Sequence, residues 1–177
     1  MIITSIKQRF SLNEATAKFK GRVREMKRGP LLRVIEFYIP YRLFQVMLTN
    51  DGNTTQLYMA IDSATGQLDL YRFQAPPAKE ERQSIESESV APEVVNRERA
   101  FEILREKVAR EVYLKGFFKV KELQVNGQYL ETFHIPYYVG LYRRDERVTV
   151  EAINALSGRF EGAKVREIVV SWFQQSS

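Results

Sequence analysis

A five-residue phrase occurs twice in this chain. Phe37-Tyr38-Ile39-Pro40-Tyr41 and Phe133-His134-Ile135-Pro136-Tyr137 agree at four of five positions with an offset of 96 residues. A second pair follows each copy: Ala60-Ile61-Asp62-Ser63-Ala64-Thr65-Gly66 and Ala152-Ile153-Asn154-Ala155-Leu156-Ser157-Gly158 share three identities, with Asp/Asn and Thr/Ser as conservative changes, at an offset of 92. Self-similarity of this kind restricts a 177-residue chain to folds assembled from two related supersecondary units. The offset falls by four between the anchors. The polar stretches Asn50-Asp51-Gly52-Asn53 and Arg144-Asp145-Glu146 lie in that interval and read as hairpin turns, where a change of length is tolerated most easily.

A helical pattern precedes each copy. In the first, Ser11 and Glu14 fit a capping box, Ala15, Phe19, Val23 and Met26 share one face, and Gly29-Pro30 ends the helix. In the second, Pro92 suits a first turn, Phe101, Leu104, Val108 and Val112 form the stripe, and Gly116 suits the C-terminal cap. Short runs rich in Val, Ile, Leu and aromatics follow as expected antiparallel strands: 31–39, 41–49, 55–61 and 67–73, then 117–125, 128–135, 137–143 and 147–153. Asn126-Gly127 reads as a tight hairpin turn. The spacing of Val165, Ile168, Val169 and Trp172 predicts a closing helix from about Gly162 to Phe173. Between the copies, residues 74–91 are rich in Pro, Ser and Glu and poor in large apolar side chains, which predicts a linker or loop. The expected architecture is α+β: two tandem helix-plus-antiparallel-sheet repeats with a pseudo-twofold relation and a C-terminal helix. The expected division is 1–73, linker 74–91, and 92–177.

The chemistry open to such a chain is narrow. With no Cys and one His, thiolate nucleophiles, disulfides, and Cys- or His-rich metal sites are excluded. No phosphate loop or dinucleotide fingerprint occurs, and Asp51-Gly52-Asn53 lacks the later ligands of a calcium loop, so no cofactor or metal is expected. The first nine residues lack the apolar core of a secretory signal, and no apolar run approaches the length of a membrane span. A cytoplasmic location without a membrane partner is the expectation. The formal charge of +5 is unevenly placed: residues 1–48 hold ten Lys or Arg against three acids, while residues 74–98 hold three against six.

The stretch Ala60-Ile61-Asp62-Ser63-Ala64-Thr65-Gly66-Gln67-Leu68 resembles the closing hairpin of the PepSY-like superfamily. There a helix is followed by antiparallel strands, and the last two are joined by an Asp-x-x-Thr-Gly turn. The Asp accepts from turn amides and the Gly supplies a left-handed backbone. The second copy departs from the pattern with Asn154 and Ser157. The resemblance implies a binding, inhibitory or regulatory module rather than a catalyst.

Two readings of the repeated Ile-Pro-Tyr are open. Tyr38, Tyr41, His134, Tyr137, Tyr138 and Tyr142 either form an exposed aromatic binding edge or fill the core between sheet and helix, and the second is preferred. His134 has no accompanying nucleophile motif, which points to a polar residue on a sheet face. Lys18, Lys20, Arg22, Arg24, Lys27, Arg28 and Arg33 raise nucleic-acid binding, but no recognition motif accompanies them, so a solvated helix face is preferred. The expectation is a non-catalytic binding or regulatory module for a protein or small ligand. A nucleic-acid binder and an enzyme using only carboxylates or tyrosines are the alternatives.

Overall fold

The computed structural model describes residues 1–116 and 122–175. These form an α+β fold with seven strands and four α-helices: β1 (Ile2–Ile6), α1 (Leu12–Phe19), α2 (Arg22–Arg28), β2 (Leu31–Asn50), β3 (Asn53–Asp62), β4 (Tyr71–Phe73), β5 (Arg82–Glu86), α3 (Arg97–Gly116), β6 (Leu123–Arg144), β7 (Arg147–Asn154) and the C-terminal α4 (Ala163–Gln175). The strands belong to a mixed sheet. β1 runs parallel to β6, with Ser5 opposite His134, whereas β1–β5, β2–β3, β3–β4 and β6–β7 are antiparallel.

Several elements differ from the sequence expectation, each for a local reason. The first helix is two. The capping box at Ser11 forms as expected, with the Ser11 hydroxyl accepting from the Glu14 amide at 3.3 Å and the Glu14 carboxylate accepting from the Ser11 amide at 2.8 Å. The helix then breaks at Lys20-Gly21, and α2 buries none of its residues; Val23 and Met26 stay exposed. Pro40 and Pro136 do not divide strands: β2 runs through the first and β6 through the second. Pairing of β2 with β3 starts at Tyr41, so the missing Pro40 amide costs that ladder nothing. Asn126-Gly127 lies inside β6 rather than at a turn. The close approach of the Phe101 ring leaves no room for a side chain at Gly127. Only Tyr71–Phe73 of the expected 67–73 strand pairs with β3. The expected strand 117–125 begins with five residues that lie outside the described ones. Within the supposed linker, residues 79–81 form a 3-10 turn and 82–86 form β5, which takes its pairing partner from β1 at the N-terminus.

Both expected hairpins form. β2 and β3 are joined by Asp51-Gly52, both at positive φ, and β6 and β7 by Asp145-Glu146. Tyr41 stands opposite Asp62 in the first, and Tyr137 opposite Asn154 in the second. From those anchors the first ladder runs to Asn50 opposite Asn53 and the second to Arg144 opposite Arg147. The second hairpin is therefore two residues shorter in each strand, which accounts for the loss of four in the repeat offset. Because two is the period of a strand, the shortening leaves every side chain on its own face.

The described residues pack as two compact units, neither of them a consecutive stretch. Unit 1 comprises 1–39, 79–92 and 134–177; unit 2 comprises 40–78 and 93–133. In unit 1 the core under α1 joins Ala15 and Phe19 to Tyr138 and Tyr142 of β6 and to Ile153 and Ala155 after β7's ladder begins. Gly140 permits this contact, since a Cβ there would lie 2.7 Å from the Phe19 ring. In unit 2, Ala100, Leu104 and Val108 of α3 pack on Phe44 and Val46 of β2 and on Met59 and Ile61 of β3. Each helix thus packs against the hairpin from the other half of the sequence.

Candidate binding groove

The six residues named as a candidate aromatic binding edge are buried, in agreement with the preferred reading that they fill the core. Tyr38, Tyr41, Tyr137, Tyr138 and Tyr142 are at most 3% exposed, and His134 is 8% exposed. Five of the six lie in unit 1; Tyr41 lies in unit 2, edge-on to Tyr71 at 5.3 Å. Their polar atoms serve the fold. The Tyr138 hydroxyl donates to the Phe10 carbonyl at 2.8 Å and the Tyr142 hydroxyl to the Phe19 carbonyl at 2.9 Å, so the two phenols hold the approach to α1 and its end. Tyr38 donates to the Glu36 carboxylate at 2.6 Å. The His134 Nδ1 lies 3.1 Å from the Thr4 carbonyl, which only accepts, so Nδ1 carries the proton. Burial, followed by the nearby Glu151, pushes the Tyr142 phenol up to about 12. Burial and then Glu36 push Tyr138 to about 12, and the Tyr38 phenol is raised by burial and by its bond to Glu36. Phenols held neutral in this way are poor general bases at neutral pH.

The basic run is also partly committed to the fold. Arg24 and Arg28, one turn apart on α2, both reach the carboxylate of Glu151, which is 6% exposed on β7. The Arg28 Nε sits 2.7 Å from Glu151 Oε1, and the Arg24 guanidinium lies over the Phe160 ring at 3.4 Å. Lys18 donates its ammonium to the Gly158 carbonyl at 2.6 Å. Lys20, Arg22, Lys27 and Arg33 are exposed. A buried carboxylate gripped by two guanidiniums is a structural clamp that ties α2 to β7.

The feature best suited to binding is a groove on the other face of the unit 1 strands. Alternation along β7 explains it. Glu151 and Ile153 face α1 and α2, so Val148 and Val150 face the opposite way, toward α4. There they meet Leu32 of β2, Leu141 of β6, and Val170 and Phe173 of α4, enclosing an open groove of about 550 Å³ with Arg33 and Gln174 at its margin. The inner stripe of α4, Val165, Ile168 and Val169, is buried against the fold, and Trp172 stacks edge-on with Phe37 at 5.3 Å. Val170 lies outside that stripe, and Phe173 packs edge-on against Trp172 at 4.8 Å while lining the groove. Leu32 is 53% exposed, Val148 58% and Val170 41%, too much apolar surface in one place for a solvated face. The volume is within the range of ligand pockets. Sequence reasoning passed over these residues because Val148 and Val150 read as ordinary strand alternation. The available signal was the excess width of the apolar arc on α4, wider than one packed face requires.

Among the described residues, no group of three or more His, Asp or Glu is placed to hold a metal ion, and no helix is long and apolar enough to cross a membrane. No protein-family model, curated protein or solved structure matches this chain.

Proposed function

We propose that the chain is a non-catalytic binding or regulatory module in which the unit 1 groove receives an amphipathic, acidic segment of a protein partner. The observation that carries this reading is the apolar groove lined by Leu32, Leu141, Val148, Val150, Val170 and Phe173, in which Leu32, Val148 and Val170 together are more exposed than a folded surface normally leaves neighbouring apolar residues. An open groove of this shape suits a helix that lays its apolar side chains at i, i+3, i+4 and i+7 into it. The charge of the surroundings favours an acidic partner: unit 1 holds 17 Lys and Arg against 12 Asp and Glu, the whole net +5 of the chain, while unit 2 has 10 of each. Arg33 stands at the groove margin to meet a carboxylate.

The same proposal takes the chain as a duplicated PepSY-like repeat whose helices have exchanged hairpins. Support comes from the matching registers at Tyr41–Asp62 and Tyr137–Asn154. It also comes from two equivalent bonds, Ser63 amide to Pro40 carbonyl at 2.8 Å and Ala155 amide to Pro136 carbonyl at 3.0 Å.

The test is a titration of the labelled protein with a synthetic peptide carrying Leu at helical spacing and Glu elsewhere, followed by NMR. Shifts should concentrate at the groove residues, and Val148→Arg should weaken binding at least about tenfold. Equal binding of the version with Lys in place of Glu, or indifference to Val148→Arg, would remove the proposal; binding of dodecanoate alone would replace it with a small-amphiphile site.

A further inference from the structure

α2 is a helix the fold does not need for its core. It buries none of its residues, yet it is held firmly, because Arg24 and Arg28 clamp one side of it to Glu151. At 100° per residue those two project on one side; Met26 and Arg22 lie on the opposite side with Val23 beside them, and Lys27 lies on the flank between Val23 and Arg24. Val23 is 65% exposed and Met26 74% exposed. Lys20, Arg22 and Lys27 have no ion-pair partner among the described residues. Arg144, at the end of β6, donates to the Lys27 carbonyl at 3.0 Å and adds a fourth cation, beside Lys27 at the C-terminal end of the helix, while Lys20 and Arg22 stand at its start.

From this arrangement we infer that α2 docks on an anionic lipid surface, with Val23 and Met26 entering the headgroup layer and Lys20, Arg22, Lys27 and Arg144 meeting lipid phosphates and carboxylates. Flanking cations around two protruding apolar side chains is the pattern of an interfacial helix. A nucleic acid would satisfy the cations but leave the exposed Val and Met without a partner, which is why lipid is favoured over it. Docking at the surface needs no spanning segment, so the lack of a long apolar run does not bear on it. The surface lies on the opposite side of the β7 strand from the groove, and the inference stands independently of what the groove binds.

Flotation of the full chain with vesicles tests it. Binding to vesicles rich in phosphatidylserine is expected, with little binding to pure phosphatidylcholine and a fall in affinity as salt is raised. Arg22→Glu together with Lys27→Glu should lower binding at least about tenfold. Val23→Ser together with Met26→Ser, which leaves every cation in place, should also lower it several-fold, and both exposed pairs should leave the melting curve unchanged. No binding to the anionic vesicles overturns the inference. So does vesicle binding that survives both double variants, or loss of binding confined to the charge variant with a single-stranded oligonucleotide bound through the same residues.

Discussion

The two turns that close the hairpin ladders show how much one atom at one position decides. In the first, Asp62 is fully buried and its carboxylate accepts four hydrogen bonds: from the Thr65 amide at 2.7 Å and hydroxyl at 3.0 Å, the Gly66 amide at 2.9 Å and the Leu68 amide at 2.9 Å. In the second, the neutral Asn154 Oδ1 accepts from the Leu156 amide at 2.9 Å and the Ser157 amide at 3.2 Å. Bonds to a charged acceptor are worth more than bonds to a neutral one, and removing the acceptor leaves buried amides unpaired. Asp62→Ala is therefore expected to cost about 3 kcal/mol of stability or more, and Asn154→Ala about 1 to 2 kcal/mol. Urea unfolding of the two variants checks the order; equal losses would show that the turn geometry, not the charge, sets the cost. Gly66 and Gly158, at φ of +71° and +66°, complete the turns as their sequence position predicts. Features of this kind were legible because both partners lie within a few residues of each other. The role of Tyr138 and Tyr142 was not legible, because the carbonyls they bond are 128 and 123 residues away.

At the scale of elements, periodicity located structure but not its partners. The stripe on α3 and the start of α4 follow directly from 3.6-residue spacing, and Leu104 and Val108 are buried as that spacing requires. The segment 74–91 has the composition of a linker, and by itself it could not form a strand. It becomes β5 because β1 offers an edge: Ile3 pairs with Ile85 and Thr4 with Ser84, while Ile3 and Ile6 are buried at 5% and 3% exposure. Composition describes what a segment can bury on its own, whereas pairing with a distant strand supplies the hydrogen bonds and the cover it lacks. Deleting residues 1–6 should accordingly turn 79–89 from a protected segment into a site of rapid proteolytic cleavage, with little change in cleavage elsewhere. Limited proteolysis with mapping of the fragments reads this. If the truncated chain is cut no faster there than the intact one, the order of β5 does not depend on β1. The uninterrupted lengths of β2 and β6 escaped notice for a related reason. Pro and Asn-Gly are strong local breakers, and only the neighbouring strands and the Phe101 ring decide that Pro40 and Gly127 sit inside a strand.

For the whole molecule, the repeated sequence and the compact units follow different divisions of the chain. The repeats are consecutive, one on either side of residues 74–91, but the helix of each half finds its core in the other half. Ala15 and Phe19 pack on side chains at 138, 142, 153 and 155, and Leu104 and Val108 pack on side chains at 44, 46, 59 and 61. A half of the chain with one apolar helix face and one apolar hairpin face can satisfy those faces within itself or against the other half, and the local pattern is the same either way. Sequence alone therefore identifies the parts and leaves their assignment open. The consequence is measurable. In fragments 1–91 and 92–177 the faces of α1 and α3, and the hairpin faces they cover, have lost their partners, so each fragment loses its helix-on-hairpin core even though α4 keeps its contact with β7. Each fragment alone should show a weak helical signal and no cooperative melting transition, and each should bind a dye for exposed apolar surface. Mixing them in equal amounts should restore helix content, remove the dye signal, and produce a transition whose midpoint rises with concentration, as mass action requires for a two-chain fold. Phe19→Ala in the first fragment should weaken the recombination strongly, since that fully buried ring packs on Tyr138 and Tyr142 of β6. A cooperative melt in either isolated fragment would mean that a sequence half can close on its own hairpin, making the exchange between halves one packing choice among two rather than a requirement of the fold.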